Sequence, residues 1–422
     1  MPRRGARASA GPRDKAERAA ARRQEGHARD VSEMLEDRSA AGARQLRHTI
    51  ALHGCPDQDH LRRRVWMRLL GLDTPLSPPP PQPPESDELE CKAAGDRSLA
   101  EQDEQDEQLW LDVDRSLHHS EPRLFTKPAT QSACRAALFR TMQAVLRRHP
   151  GLHYYQGFHD LTAVFLLVCG EEAGTLMTEA VATRHLAFAL TKDMDATSTV
   201  LQLLPPLLRA VAPEAAAIIA GAGIEIPVFA MSWVLTWFAH DLYDGGSSAS
   251  RLYDFLLAVG HPLAALYLGA AIVAWRLPAL QAIEEPVDFG AVHTLLRNLP
   301  AEMPLDRLCR DALVLLQTHP PDGWLLQAAG GGGEHAAAVR EAEWYHAKHM
   351  SRDGLVYLPA GTAAAGGGGR WGWGLVGHDG EPRGEAKRRA CILMPALLTA
   401  LSVGLSASAV TLLSSELAWA SG

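Results

Sequence analysis

Aromatic residues are scarce, at 6% of 422 positions, and no alternating apolar–polar run long enough for a strand occurs. The second absence excludes a core built on half-buried sheets, which requires a period of two. Cysteine is sparse and unordered: residues 55, 91, 134, 169, 309 and 391 form no CxxC pair and keep no fixed spacing. That excludes a disulfide framework and a zinc site, and reads as reduced thiols in a cytosol-facing protein. Excess positive charge is missing too. A net charge of −8 argues against nucleic acid as the main partner, because phosphate contacts need a basic surface. The stretch "MPRRGARASAGPRDKAERAAARRQEGHARD" at the N-terminus holds nine Lys/Arg and four Asp/Glu and no apolar run. A secretory signal needs an apolar segment and a transit peptide avoids acids, so residues 1–44 are expected to be a solvated, disordered basic tail.

What is there is helix. Hydrophobic residues reach 47%, enough for a large core. In "DQDHLRRRVWMRLLGL" (57–72), Leu61, Val65, Trp66, Leu69 and Leu70 recur at helical spacing. From Leu109 to about Gln317, helical segments follow one another, separated by Pro, Gly or Ser clusters. Among them "SACRAALFRTMQAVLRRH" is amphipathic, "LTAVFLLVC" is apolar on all sides and therefore central, and "IPVFAMSWVLTWFAHDLY" reads as one helix. The expected fold class is all-α. Residues 74–108 run from polyproline into an acidic repeat and are expected to be a disordered insert within a domain spanning 45–318. Residues 319–389 read as a flexible Gly-rich linker.

Residues 390–413 hold 24 uncharged positions. As a helix they span about 36 Å, against about 30 Å of bilayer hydrocarbon. "KRR" at 387–389 puts the N-terminal flank in the cytosol, leaving 414–422 as a short lumenal tail with Trp419 at the interface. The expectation is a single C-terminal transmembrane helix, with the lipid bilayer as its partner.

Three constellations could carry chemistry. In "HYYQGFHDL" (153–161), His159 and Asp160 beside Gln156 suggest a base with an orienting carboxylate. Adjacent helical residues point about 100° apart, so the two are not expected to face each other as a dyad. No GxSxG and no HExxH accompanies them, and His159 is expected to be a hydrogen-bonded residue at a helix start. In "LWLDVDRSLHHS" (109–120), Leu109, Asp112 and Arg115 recur every three residues, as an apolar anchor plus an Asp–Arg surface pair. In "LRRRVWMRLLG", Arg62 and Trp66 are four apart, close enough for the guanidinium to stack or for the indole to anchor the core.

Taken in order, these stretches resemble the three motifs of the TBC-domain family, whose members activate Rab-type GTPases. R-x-x-x-W falls on Arg62 and Trp66, I-x-x-D-x-x-R on Leu109, Asp112 and Arg115, and Y-Q-G on Tyr155, Gln156 and Gly157. Leucine replaces isoleucine at 109, and Ser116 stands where the family often has threonine. The resemblance is greatest to an endoplasmic-reticulum-anchored subgroup, in which an aromatic, His and Asp follow YYQG, as Phe158, His159 and Asp160 do here.

The resemblance implies a V-shaped multi-helix TBC domain, held single-pass on the cytosolic face of the endoplasmic reticulum membrane and regulating vesicle traffic. It implies an enzyme activator rather than an enzyme. Arg115 would be an arginine finger and Gln156 a glutamine finger, both supplied to a GTP-bound Rab-type GTPase. The chemistry suits those residue types, since guanidinium is a permanently charged planar donor and an amide can both donate to and accept from a water. No cofactor of its own is expected, because GTP and Mg2+ are bound by the partner. Asp112 would orient the finger region, and Gly157 would let the backbone approach the nucleotide. Tyr155, Trp66 and Arg62 would be structural support. From local order alone, and not from the resemblance, His159 and Asp160 are expected to bond across to the helix that carries Arg115. The other reading is a non-catalytic, membrane-anchored TBC scaffold that binds a Rab or a tether.

Overall fold

The computed structural model describes residues 12–73, 99–117, 128–242, 247–284 and 287–321. Most of the expected linker, the span 390–413 and the tail 414–422 lie outside the described residues, as do 1–11 and 74–98. Among the described residues every regular element is helical and there is no strand. In chain order these are α1 (Pro12–Glu36), α2 (Ala40–His53), α3 (Asp59–Leu69), α4 (Leu99–Asp114), α5 (Pro128–Arg148) and α6 (Phe158–Arg184). The second half comprises α7 (Asp195–Leu201), α8 (Leu204–Val211), α9 (Pro213–Gly221), α10 (Met231–Leu235) and α11 (Ser247–Val259). It closes with α12 (Ala264–Trp275), α13 (Leu277–Gln281), α14 (Phe289–Arg297) and α15 (Leu305–Thr318).

The apolar stretch after Gln156 forms the centre. α6 packs against α3 and α5, and by length and composition it could cross a membrane, yet 56% of its most apolar stretch is buried within the fold. It is a core helix. Gly170 breaks its regular winding with φ +78, a conformation open to glycine and strained for other residues. α3 forms where the spacing places it, and Leu61, Val65, Trp66, Leu69 and Leu70 are all buried. Trp66 meets Phe165 of α6 edge-on, with ring centroids 5.6 Å apart, and Tyr253 of α11 at 5.9 Å. Burying one such side chain contributes about 1.5–3 kcal/mol.

Three expectations need correction. The basic tail expected over 1–44 contains α1 and the start of α2. Ala28, Val31 and Leu35 of α1 are buried at helical spacing, and Ser39 caps α2 by accepting from the Gly42 amide at 3.0 Å. Charge counting over a long window hid that short apolar stripe. The insert expected over 74–108 is helical from Leu99, where α4 begins; Asp106 receives Gln143 and Arg147 of α5, both at 2.8 Å. Tertiary partners for the acidic repeat override its composition. Finally, "IPVFAMSWVLTWFAHDLY" is not one helix. A 3-10 turn (Val228–Ala230) leads into α10, and the chain then turns with Trp237 at φ +51 and Phe238 at φ +68. Both rings are buried by that turn, which offsets the backbone strain.

Candidate functional site

Arg115 is the first residue past α4. Leu109 anchors that helix with no exposed surface and Asp112 is buried, while Arg115 is exposed. Its Nε donates to the Leu111 carbonyl at 3.2 Å, and among the described residues its terminal nitrogens have no protein partner. The expected surface pair with Asp112 does not form. Asp112 instead accepts from Tyr154 Oη at 2.7 Å and from Gln108 Nε2 at 3.3 Å.

Gln156 sits in the short connection from α5 to α6. It is exposed, and among the described residues its amide has no hydrogen-bond partner. Its neighbours are fixed. Tyr155 Oη donates to the Leu235 carbonyl at 2.6 Å, deep in the fold, and burial raises its pKa well above the usual phenol range. Gly157 caps α6 at φ +107, and a Cβ there would meet Thr236 Cγ2 at 3.0 Å. Glycine is thus required by left-handed backbone and by the packing of the 236 turn.

His159 and Asp160 correct the expectation drawn from helix geometry. At the first turn of α6 the side chains converge, with His159 Nε2 3.2 Å from Asp160 Oδ1. Asp160 Oδ2 accepts from His240 Nδ1 at 2.9 Å, so this carboxylate reaches the 236–240 turn and not α4. His159 does reach toward α4, through Tyr154, whose Oη lies 3.0 Å from His159 Nδ1. With Tyr154 donating to Asp112, its oxygen accepts from Nδ1, and Nε2 faces the Asp160 carboxylate at ion-pair distance. That carboxylate favours the imidazolium form. Burial works against that charge, but Asp160 outweighs it and raises the His159 pKa. Burial likewise pushes the Asp160 pKa up, and the two histidines overcome it, holding the carboxyl below the usual range. Both oxygens of Asp160 and both ring nitrogens of His159 have partners within this cluster.

Arg62 and Trp66 meet at a third place. Both donate to Asp254 Oδ1 of α11, at 3.3 Å and 2.7 Å, while the Cys55 amide donates to Oδ2 at 2.8 Å. Asp254 has no exposed surface. The guanidinium does not stack on the indole, and the tryptophan anchors the core. Sequence reasoning missed Asp254, Tyr154, His240 and Thr236. Tyr154, Thr236 and His240 stood within quoted stretches, but nothing in the one-dimensional pattern distinguishes a polar side chain that will be bonded inside the fold from one facing water.

Arg115 and Gln156 are thus both exposed, on separate elements linked through the hydrogen-bonded Asp112–Tyr154–His159 chain. Among the described residues this is an all-helical protein that displays these two polar side chains to solvent. Comparisons with known proteins give the family. The family model described as the Rab-GTPase-TBC domain matches residues 59–280. The chain is 31% identical over 365 residues to TBC1 domain family member 20 of Bos taurus, covering 86% of this chain and 82% of that protein. It is 28% identical over 270 residues to GTPase-activating protein gyp10 of Schizosaccharomyces pombe, covering 62% of this chain and 65% of that one. The crystal structure of the Ypt/Rab-GAP domain of Gyp1p shares the fold, with a TM-score of 0.52 at 16% identity over 69% of this chain and 98% of that one. The protein belongs to the Rab-GTPase-TBC domain family, and membership implies GTPase-activator activity toward a Rab-type GTPase.

Proposed function

We propose that this chain completes the active site of a GTP-bound Rab-type GTPase in trans, with Arg115 as arginine finger and Gln156 as glutamine finger. The GTPase brings nucleotide, Mg2+ and the attacking water. Charge developing on the transferring phosphoryl group calls for a cation, and the water calls for a group that both donates and accepts. The single observation that supports this reading is the exposure of both side chains, each without a partner among the described residues for its terminal nitrogens or amide. Asp112, Tyr154 and His159 would keep the two elements in register, Tyr155 and Gly157 would fix the Gln156 backbone, and Asp160 would tie α6 to the 236–240 turn. Arg62 and Trp66 would hold the scaffold through Asp254.

Placement on the cytosolic face of the endoplasmic reticulum, with a role in vesicle traffic, is part of the same proposal. It draws on the uncharged stretch 390–413, its basic flank and the resemblance to the anchored subgroup. Single-turnover GTP hydrolysis by a panel of GTP-loaded Rab-type GTPases, with and without the full chain, tests the finger reading. Stimulation of at least one member that vanishes with Arg115→Ala and with Gln156→Ala is expected. Unchanged stimulation by both variants would overturn it. Deleting residues 390–422 should move the protein to the soluble fraction of cells, and retention on membranes would remove the anchor.

A further inference from the structure

The last carbonyls of a helix have no partner within it and must be met from elsewhere. At the end of α4 the chain itself meets two of them: Leu111 accepts from Arg115 Nε at 3.2 Å, and Val113 accepts from the Ser116 amide at 3.0 Å and hydroxyl at 2.7 Å. Beyond the finger, the Ser116 and Leu117 carbonyls are met from α5. Arg135 aims Nε and Nη2 at the Ser116 carbonyl, at 3.2 and 2.9 Å, with Nη1 3.7 Å from Asp114 Oδ1. Gln131 Nε2 donates to the Leu117 carbonyl at 3.0 Å. Gln131 and Arg135 are four apart on α5 and so share a face. Between them they hold Leu117 at φ +62, where a residue with a Cβ stays only if its surroundings enforce it.

Arginine on a helix-end carbonyl recurs in this protein. Arg47 donates to the Leu257 and Ala258 carbonyls at 3.0 and 3.2 Å, Arg184 to Leu70 at 2.7 Å, and Arg276 to Leu295 at 2.9 Å. Those arginines join helix ends within the scaffold. The end gripped by Arg135 is the one that carries Arg115.

We propose that Arg135, seconded by Gln131, is a positioning residue for Arg115. By fixing the Ser116 and Leu117 carbonyls it sets where the backbone at 115 stands relative to Gln156, although it touches neither nucleotide nor partner. The proposal rests on the reading of Arg115 as a finger. Its physical basis is the steepness of catalysis with geometry, since a displacement of about 1 Å from the reacting geometry can lower a rate about 100-fold. Guanidinium suits the task because its planar fork places two donors on one carbonyl, which an ammonium group does not do with the same rigidity.

The test is single-turnover GTP hydrolysis with the full chain and the Rab-type GTPase it stimulates most, at increasing concentrations of the chain. Arg135→Ala should lower the saturating rate about 10- to 100-fold, with the half-saturating concentration changed less than about 2-fold. Arg135→Lys should recover part of that loss. An unchanged saturating rate for Arg135→Ala, or a loss confined to the half-saturating concentration, would overturn the proposal. Wild-type activity in Arg115→Ala alone would overturn the finger reading as well, so the two failures are told apart. If Arg135→Ala loses its cooperative thermal transition, Gln131→Ala decides: a roughly 3- to 10-fold drop in saturating rate supports the positioning role, and no change rejects it.

Discussion

Arg62 and Arg115 each stand in a stretch that resembles a motif of this family, and their surroundings could hardly differ more. Arg62 is largely enclosed between α3 and α11, bonded to an aspartate with no exposed surface that also receives Trp66 Nε1 and the Cys55 amide. Arg115 stands exposed past the end of α4, with one bond, among the described residues, back to its own helix. The lesson is about where hydrogen-bonding capacity goes. A buried charge must have its donors satisfied internally or the fold suffers, whereas donors left toward solvent remain available to a second molecule. Motif membership alone does not tell the two apart.

That contrast can be broken in several ways. The largest effect is expected from Arg115→Lys. Loss of about 10³–10⁵ in stimulated GTP hydrolysis should leave the melting temperature as it was, because the side chain stabilises little. A large shift in melting temperature with retained activity would reverse the two roles. Next comes Asp254→Ala, which leaves Arg62, the Trp66 indole and the Cys55 amide without their acceptor. Destabilisation of about 3–5 kcal/mol in urea unfolding is expected, and an unchanged midpoint would show that the junction is dispensable.

Smaller again is Gly157→Ala. Left-handed backbone at φ +107 and the approach of Thr236 Cγ2 should together destabilise by about 1–3 kcal/mol. Adding Thr236→Ser removes that methyl group and should restore only the steric share. Full recovery would mean that the backbone conformation itself carries no strain.

The smallest effect concerns pH. His240 has a raised pKa, chiefly from its bond to Asp160, while burial opposes the shift; its side chain is 45% exposed, which limits the size. Burial raises the Asp241 pKa to about 6. For both groups the folded state holds its proton more tightly than the unfolded one. The stability they contribute is therefore present below the unfolded pKa values and is lost as pH rises through the folded ones. Asp241 acts between about pH 4 and pH 6, where His293, whose pKa burial lowers to about 4, acts in the opposite sense. The His240 share is therefore read as a difference: above about pH 6.5 the wild-type unfolding midpoint should fall modestly relative to that of His240→Gln. A difference that grows in favour of the wild type over this range would contradict the sign.

Helical character, the central place of "LTAVFLLVC" and the buried face of α3 were legible from spacing alone, because apolar periodicity and helical burial share one period. The three motifs were legible as residue types in order. Other features were not. The stripe of Ala28, Val31 and Leu35 was masked by neighbouring charge, and the acidic repeat gave no sign that Asp106 would meet Gln143 and Arg147. Helix geometry also misjudged His159 and Asp160, since an angle between Cβ directions does not fix where two flexible side chains end at a helix start.

By itself, then, the sequence determined an all-helical domain and the residue types that mark its family, since both follow from local spacing. Tertiary structure decided which of those residues are occupied. Only folding brings Asp254 to Arg62 across 192 positions, Tyr154 to Asp112 across 42, and Arg135 to the Ser116 carbonyl across 19. Whether a polar group is bonded inside or left at the surface depends on partners distant in the chain, and that is what separates the displayed Arg115 from the enclosed Arg62.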